Sequence, residues 1–194
     1  EPFCGALGSA LGLAPSHALL NDINPHLINF HVQLQQGLVI DSELLYEKDF
    51  YYERRKEFND LARRGKWNTK RSAELFYYLN RSCFNGLCRF NQKGEFNVPF
   101  GRHSKVNYIR DFTPYKAALA NYKFGNCDFE ELVLHPDDFV YADPPYDVEF
   151  TSYSKDSFKW SDQVRLADWL ANHKGPVVAS NQSTPRIVEL YEKL

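Results

Sequence analysis

Twice along this chain a short apolar run ends on an acid, and a third strand-like run does the same. His17-Ala18-Leu19-Leu20 leads into Asn21-Asp22. Phe124 heads a run that reaches Asp128-Phe129, and Phe139-Val140-Tyr141-Ala142 runs straight into Asp143. Apolar runs of this length, bounded by turn residues, read as strands. Helical patterns separate them. Asn24-Pro25 opens one that carries Leu27, Ile28 and Phe30, and residues 114–122, 160–173 and 185–194 carry others, with Ser161 as the N-cap of the second. Residues 176–180 read as a further, buried strand. Ahead of the first run, residues 5–12 hold Gly5, Gly8 and Gly12 among small residues and read as a glycine loop. The alternation predicts an α/β fold, a doubly wound and mostly parallel sheet with acids at the strand ends where such sheets bind ligands.

Residues 41–112 break that rhythm. Two helical patterns, 41–64 and 70–80, have Asp41 and Thr69 as N-caps, with a turn at Gly65-Lys66-Trp67-Asn68. Residues 82–108 then mix Gly86, Gly94, Gly101, Pro99 and four asparagines, as a long ordered loop or hairpin does. The expected division is therefore one domain from 1–40 and 113–194 and a small helical and hairpin subdomain from 41–112. Net charge is −2, so a nucleic-acid surface must be local. The local candidate is 81–110, where Arg81, Arg89, Lys93, Arg102, Lys105 and Arg110 face one acid, Glu95, with Phe84, Phe90, Phe96, Phe100 and Tyr108 interleaved. Cations and aromatics in this mixture suit phosphates and bases; the same phenylalanines would also serve as anchors for a solvated loop.

Other classes are disfavoured. No apolar run approaches the ~18 residues that span a bilayer, so no membrane partner is expected. Cys4, Cys83, Cys88 and Cys127 form no paired C-x-x-C framework, so no metal is expected, and free thiols suit the cytoplasm. The chain has no methionine, and Glu1-Pro2-Phe3 reads as the exit from a strand; the expectation is a part of a longer protein.

Asp143-Pro144-Pro145-Tyr146 carries the most specific chemistry. An exocyclic amine is a poor nucleophile because its lone pair is delocalised into the ring. Acceptors that hold its hydrogens make the nitrogen more tetrahedral: Asp143 takes one and the Pro144 carbonyl the other. Two prolines fix φ and remove two backbone donors, and Tyr146 offers a face on which an extruded base stacks. As a bare tetrapeptide it is also a common turn. Phe150-Thr151-Ser152-Tyr153 adds two aromatics to line the same pocket, or simply packs. Phe3-Cys4-Gly5-Ala6-Leu7-Gly8-Ser9 lets a ligand approach the backbone at Gly5, and Asp22 lies where an acid binds ribose hydroxyls in doubly wound folds. The loop is neither G-x-G-x-x-G nor a P-loop, so a nucleoside without phosphate fits better, and a nicotinamide oxidoreductase is disfavoured. Asp128 accepts from an adenine amino group with Phe129 against the ring, or is a turn aspartate beside a core phenylalanine.

These segments, in this order, resemble the DNA adenine-N6 methyltransferases of the Dam family over nearly the whole chain. The most specific likeness is Asn85-Gly86-Leu87-Cys88-Arg89-Phe90-Asn91, continuing as Gly94-Glu95-Phe96-Asn97-Val98-Pro99-Phe100-Gly101, which is similar to the family's target-recognition hairpin. The resemblance implies a Rossmann-like class I methyltransferase fold with S-adenosylmethionine as cofactor and double-stranded DNA, with a GATC-type site, as partner. A restriction endonuclease is implied only as a genetic partner. By resemblance, Phe3 and Gly5 belong to the cofactor loop, and Asp22 and Asp128, with Phe129, hold ribose and adenine. Asp143, Pro144 and Tyr146 hold the flipped base. Arg89 reads a guanine, Leu87, Pro99 and Arg102 contact neighbouring bases, Asn85 orders the hairpin, and Tyr153 joins the DNA side. The family's Lys-Trp-Ala-Gly-Gly-Lys-like segment and its last strands are not in this sequence, in line with a partial chain. Two other readings are an RNA or protein-amide methyltransferase and a DNA-binding regulator on an inactive methyltransferase fold.

Overall fold

A computed structural model describes residues 1–147 and 158–192. Its elements are α1 (Gly8–Leu13), β1 (Ala18–Asn21), α2 (Pro25–Gln35), α3 (Lys48–Arg63), α4 (Lys70–Ser82), α5 (Thr113–Ala118), β2 (Tyr122–Gly125), β3 (Val140–Ala142), α6 (Trp160–Ala171), β4 (Val177–Ala179) and α7 (Pro185–Glu192), with single 3-10 turns at Phe84–Gly86 and Phe129–Glu131. They form two compact units, one from Glu1–Ile23 with Tyr122–Leu194, the other from Asn24–Asn121.

The first unit is mixed α/β. Strands β1 and β2 run parallel, Ala18 opposite Tyr122 and Asn21 opposite Gly125. Strands β3 and β4 form a second parallel pair, Val140 opposite Val177 and Ala142 opposite Ala179. A parallel pair needs a crossover, and α6 supplies it between β3 and β4. The apolar face of α6, Leu166 and Leu170, packs on Phe129, Val140 and Ala142, with Phe3, Phe158 and Trp169 against this cluster. Residues 1–4 lie along β1: Asn21 N donates to Glu1 O at 2.8 Å and Cys4 N to Asn21 O at 2.7 Å.

The second unit is helical. Asn24 caps α2 through its side chain, accepting from His26 N at 3.0 Å and Leu27 N at 3.4 Å, with Pro25 at the first helical position. Thr69 caps α4 in the same way, accepting from Ser72 N at 3.2 Å. Helices α2 and α3 both pack on α4. Their shared core is aromatic: Phe58 and Tyr51 are fully buried, and the His26 ring sits 4.7 Å from Phe58 and 5.2 Å from Phe90.

Several local expectations are corrected. The glycine-containing stretch 8–13 is helical, since the positive φ angles fall outside it, at Gly5, Leu7 and Ala14, and the chain coils between them. Helix α3 starts at Lys48 after Glu47, not at Asp41, whose carboxylate instead meets Lys70 at 3.1 Å. Helix α5 stops at Ala118, and Tyr122 belongs to β2, because Leu119 N closes the last turn and the chain then pairs with β1. The helix at 160 is preceded by Lys159, whose backbone N–H donates to Asp162, rather than by Ser161. Strand β4 is exposed rather than buried.

Candidate active site and recognition hairpin

The acid at the end of β3 is held by the strand beside it. Ser180, one residue past β4, continues the ladder by donating its N–H to Ala142 O at 2.9 Å. That register sets its hydroxyl against Asp143, to which it donates at Oδ1. The next two residues separate: Pro144 is buried and Pro145 exposed. The Pro145 carbonyl accepts from Gln163 Nε2 at 2.8 Å, while among the described residues no hydrogen bond engages the Pro144 carbonyl. Tyr146 is 48% exposed. Asp147 is buried and paired with Arg186, whose guanidinium holds its carboxyl below the usual range despite burial. Tyr153 and its neighbours lie outside the described residues.

Beside this loop lies a pocket of about 220 Å³ lined by Phe3, Asn21, Asp128, Phe129, Pro145 and Phe158, among others. The structure thus brings Phe3, Asp128 and Phe129 together with the Asp143–Tyr146 motif through Pro145. The Phe3 and Phe129 ring centres are 5.6 Å apart, and Phe3 meets Phe158 edge-on at 5.5 Å. Asp128 accepts from Glu130 N at 3.1 Å and from Arg165 at 2.8 Å, both at Oδ1. Asp22 closes the cofactor-loop side, its Oδ2 accepting from Gly5 N at 3.3 Å. Gly5 has φ 44°. Neither Gly5 nor Asp22 lines the 220 Å³ pocket itself. Burial, with Asp22 and Glu1 nearby, pushes the Cys4 thiol up to about 12.

Asn21 ties the pocket walls together. Its buried side chain donates to Pro2 O and Cys127 O, each at 3.0 Å, and accepts from Cys127 N at 3.1 Å. A side chain at Gly125 would put its Cβ 2.8 Å from Asn21 Oδ1, so only glycine fits opposite it. Sequence reading passed over Asn21, Gln163, Arg165 and Ser180. Each acts on a residue 18 or more positions away, so no local pattern marks it.

In the second unit, residues 83–100 form an antiparallel hairpin. Cys83 bridges Phe100 and Phe90 bridges Phe96. Asn91 accepts from Lys93 N and Glu95 N at its tip, and Gly94 takes φ 71°. Asn85, Leu87, Arg89 and Pro99 are all exposed on it, and Arg102 is exposed just after it. Arg89 Nε donates to Asn97 Oδ1 at 2.8 Å, and among the described residues this is the bond its side chain makes. The interleaved aromatics mostly turn inward: Phe96 is 1% exposed against Phe58, and Phe100 packs on Tyr46 and Tyr51. Helix α3 grips the second arm. Asn59 accepts from Phe96 N at 2.9 Å and donates to its carbonyl at 3.1 Å, and Tyr51 and Arg55 both donate to Val98 O at 2.9 Å. Arg81 and Arg110 donate to backbone carbonyls of their own unit, so they serve structure there.

Among the described residues no group of three or more His, Cys, Asp or Glu is placed to hold a metal, and no helix is long and apolar enough to cross a membrane.

Parallel strands followed by acids, with an aromatic pocket beside one of them, are a layout found in α/β ligand-binding enzymes. The chain belongs to the D12 class N6 adenine-specific DNA methyltransferases: the family's sequence model matches residues 1–194. It is 35% identical over 214 residues to the DNA adenine methylase of Escherichia coli K12, covering 100% of this chain and 74% of that protein. It is 33% identical over 209 residues to the retron Ec67 DNA adenine methylase of Escherichia coli, covering 98% and 70%. Against the type II methyltransferase M1.LlaDCHI of Lactococcus lactis subsp. cremoris it is 34% identical over 212 residues, covering 99% and 74%.

Proposed function

We propose that this chain moves the methyl group of S-adenosylmethionine to N6 of an adenine in double-stranded DNA, at a GATC-type site, with the adenine turned out of the helix. The observation that carries this reading is the adjacency of the aromatic pocket to the Asp143–Tyr146 loop through Pro145. Phe3 and Phe129, packed on each other, line an aromatic wall suited to a purine, and Asp128, bound at Oδ1, has its second oxygen to accept an adenine amino group. Asp22, held at Gly5, suits ribose hydroxyls. The cofactor supplies a sulfonium-activated methyl; the chain's part is orientation and electrostatics. Asp143 and the Pro144 carbonyl hold the two amino hydrogens of the target base, and Tyr146 stacks on its ring.

In this reading the catalytic domain spans 1–40 and 113–194 and the recognition subdomain spans 41–112. The two parallel strand pairs belong to one doubly wound sheet. The parallel sense of both pairs and the family to which the chain belongs support this. On the hairpin, Arg89 is steadied through Nε and presents its terminal nitrogens as a fork for a guanine edge. Leu87, Pro99 and Arg102, exposed beside it, contact neighbouring bases, and Asn85, with φ 53°, shapes the turn.

Incubation with labelled S-adenosylmethionine and duplex DNA, followed by mapping of the methylated positions, tests the reading. Label in N6-methyladenine at GATC is expected, and none from Asp143→Ala with DNA binding retained. Label in RNA or protein alone, or full activity of Asp143→Ala, overturns it.

A further inference from the structure

The loop 143–147 is gripped at four points by residues outside it. Ser180 donates to the Asp143 carboxylate. Gln163, 1% exposed on α6, donates to Pro145 O at 2.8 Å. Asn181 Nδ2 donates to Gln163 Oε1 at 2.9 Å, and Asn181 Oδ1 accepts from Asp147 N at 3.3 Å. The Asp147 carboxylate accepts from Thr184 Oγ1 at 3.1 Å and pairs with Arg186. The two side-chain amides are directional: turning either one would set donor against donor or acceptor against acceptor. Gln163 therefore has to present N–H to Pro145. A paired chain of this kind, anchored on the buried Gln163 and Asp147, holds one loop geometry.

We propose that Ser180 and Asn181 are positioning residues for methyl transfer. Ser180 fixes the rotamer of Asp143 by occupying Oδ1, so that Oδ2 is the oxygen offered to the amine. Asn181 acts through Gln163 to engage the Pro145 carbonyl, which leaves the Pro144 carbonyl as the second acceptor. Both effects come from one place in the fold, the exit of β4, whose parallel pairing with β3 carries Ser180 to the level of Asp143. The proposal rests on the reading of Asp143 as the acceptor of the amino hydrogen.

Single-turnover methylation by the full chain tests it. Ser180→Ala should slow the methyl-transfer step by about tenfold to a hundredfold, the scale at which misplaced reacting groups lose rate. Affinity for S-adenosylmethionine and DNA should not change, nor should the fluorescence rise of 2-aminopurine placed at the target base. Ser180→Thr, which keeps the hydroxyl, should restore the rate. In an Asp143→Asn background with residual activity, Ser180→Ala should add no further loss. An unchanged rate in Ser180→Ala, or a loss that Thr does not rescue, overturns the role of Ser180. A slowed Asn181→Ala with unchanged affinities supports the Gln163 relay, and one that fails only through weaker binding or a lower melting temperature overturns it. Full activity of Asp143→Ala, run in parallel, would instead remove the acceptor reading beneath it.

Discussion

The guanidinium carbon of Arg165 lies 5.0 Å from the centre of the Phe129 ring while the same side chain donates to Asp128 at 2.8 Å. One cation thus backs both the ring and the acid of the proposed adenine pocket. Its bonds to Glu130, Asp162 and Asp128 keep it charged. Arg165→Ala should weaken S-adenosylmethionine binding by about 1 kcal/mol, the scale of a partly exposed cation–aromatic contact. Calorimetry measures it. Undiminished affinity would place Asp128 and Phe129 under other control.

Arg89→Ala should relax sequence preference at a single guanine at a cost of about 1–3 kcal/mol in discrimination. Asn97→Ala should give a weaker version of the same loss, because it removes the acceptor that steadies Arg89. Methylation rates on single-base variants of the site read both. A uniform loss across all variants would assign Arg89 to phosphate contact instead.

His26 gives the fold a pH dependence. Burial among Phe58, Phe76 and Phe90 lowers its pKa to about 4, and Nδ1 has no partner among the described residues. The unfolded chain binds the proton near pH 6.5, which the folded protein resists until about 4. This contribution is therefore whole above pH 6.5 and is lost as pH falls towards 4, by about 3 kcal/mol in all. Urea denaturation at stepped pH checks the slope. His26→Leu should flatten it, and an unaltered slope would assign the dependence to other groups.

Asn59→Ala should destabilise the second unit by about 1–3 kcal/mol, because the buried Phe96 loses the partners of both its N–H and its carbonyl. Chemical denaturation reads the loss. A wild-type midpoint would mean that water replaces the amide without cost.

Thiol reactivity should separate by burial. Cys88 is exposed, whereas Cys4 is buried with its thiol pushed up to about 12. Maleimide labelling of the native protein, read by mass spectrometry, should modify Cys88 well before Cys4.

Short-range chemistry was legible in the sequence. The helix opening at Asn24-Pro25 and the cap at Thr69 depend on residues two or three positions away, and both formed. Strands β1 and β3 and the acids after them followed from apolar runs bounded by turn residues. The inserted helices and the hairpin were legible too, although the compact units part at residues 23/24 and 121/122. What escaped was long-range. Asp41 reads as a cap but meets Lys70, and 176–180 reads as a buried strand though β4 is exposed. Gln163 looks like one polar residue on an amphipathic helix, and only the fold brings it to Pro145. The aromatics near Arg89 could stack on bases or anchor the hairpin, and burial, which no local spacing encodes, sends Phe96 inward.

Asn21 joins Pro2 to Cys127 through a single side chain. The two walls of the aromatic pocket therefore do not loosen one at a time: releasing either breaks amide bonds at the end of β1 as well. Solvent exchange at the Cys127 N–H should accordingly follow the opening of the β1–β2 pair as a whole and not the fraying of its own loop. A ligand that settles in the pocket would slow exchange along both strands at once, which makes this one amide a reporter of occupancy.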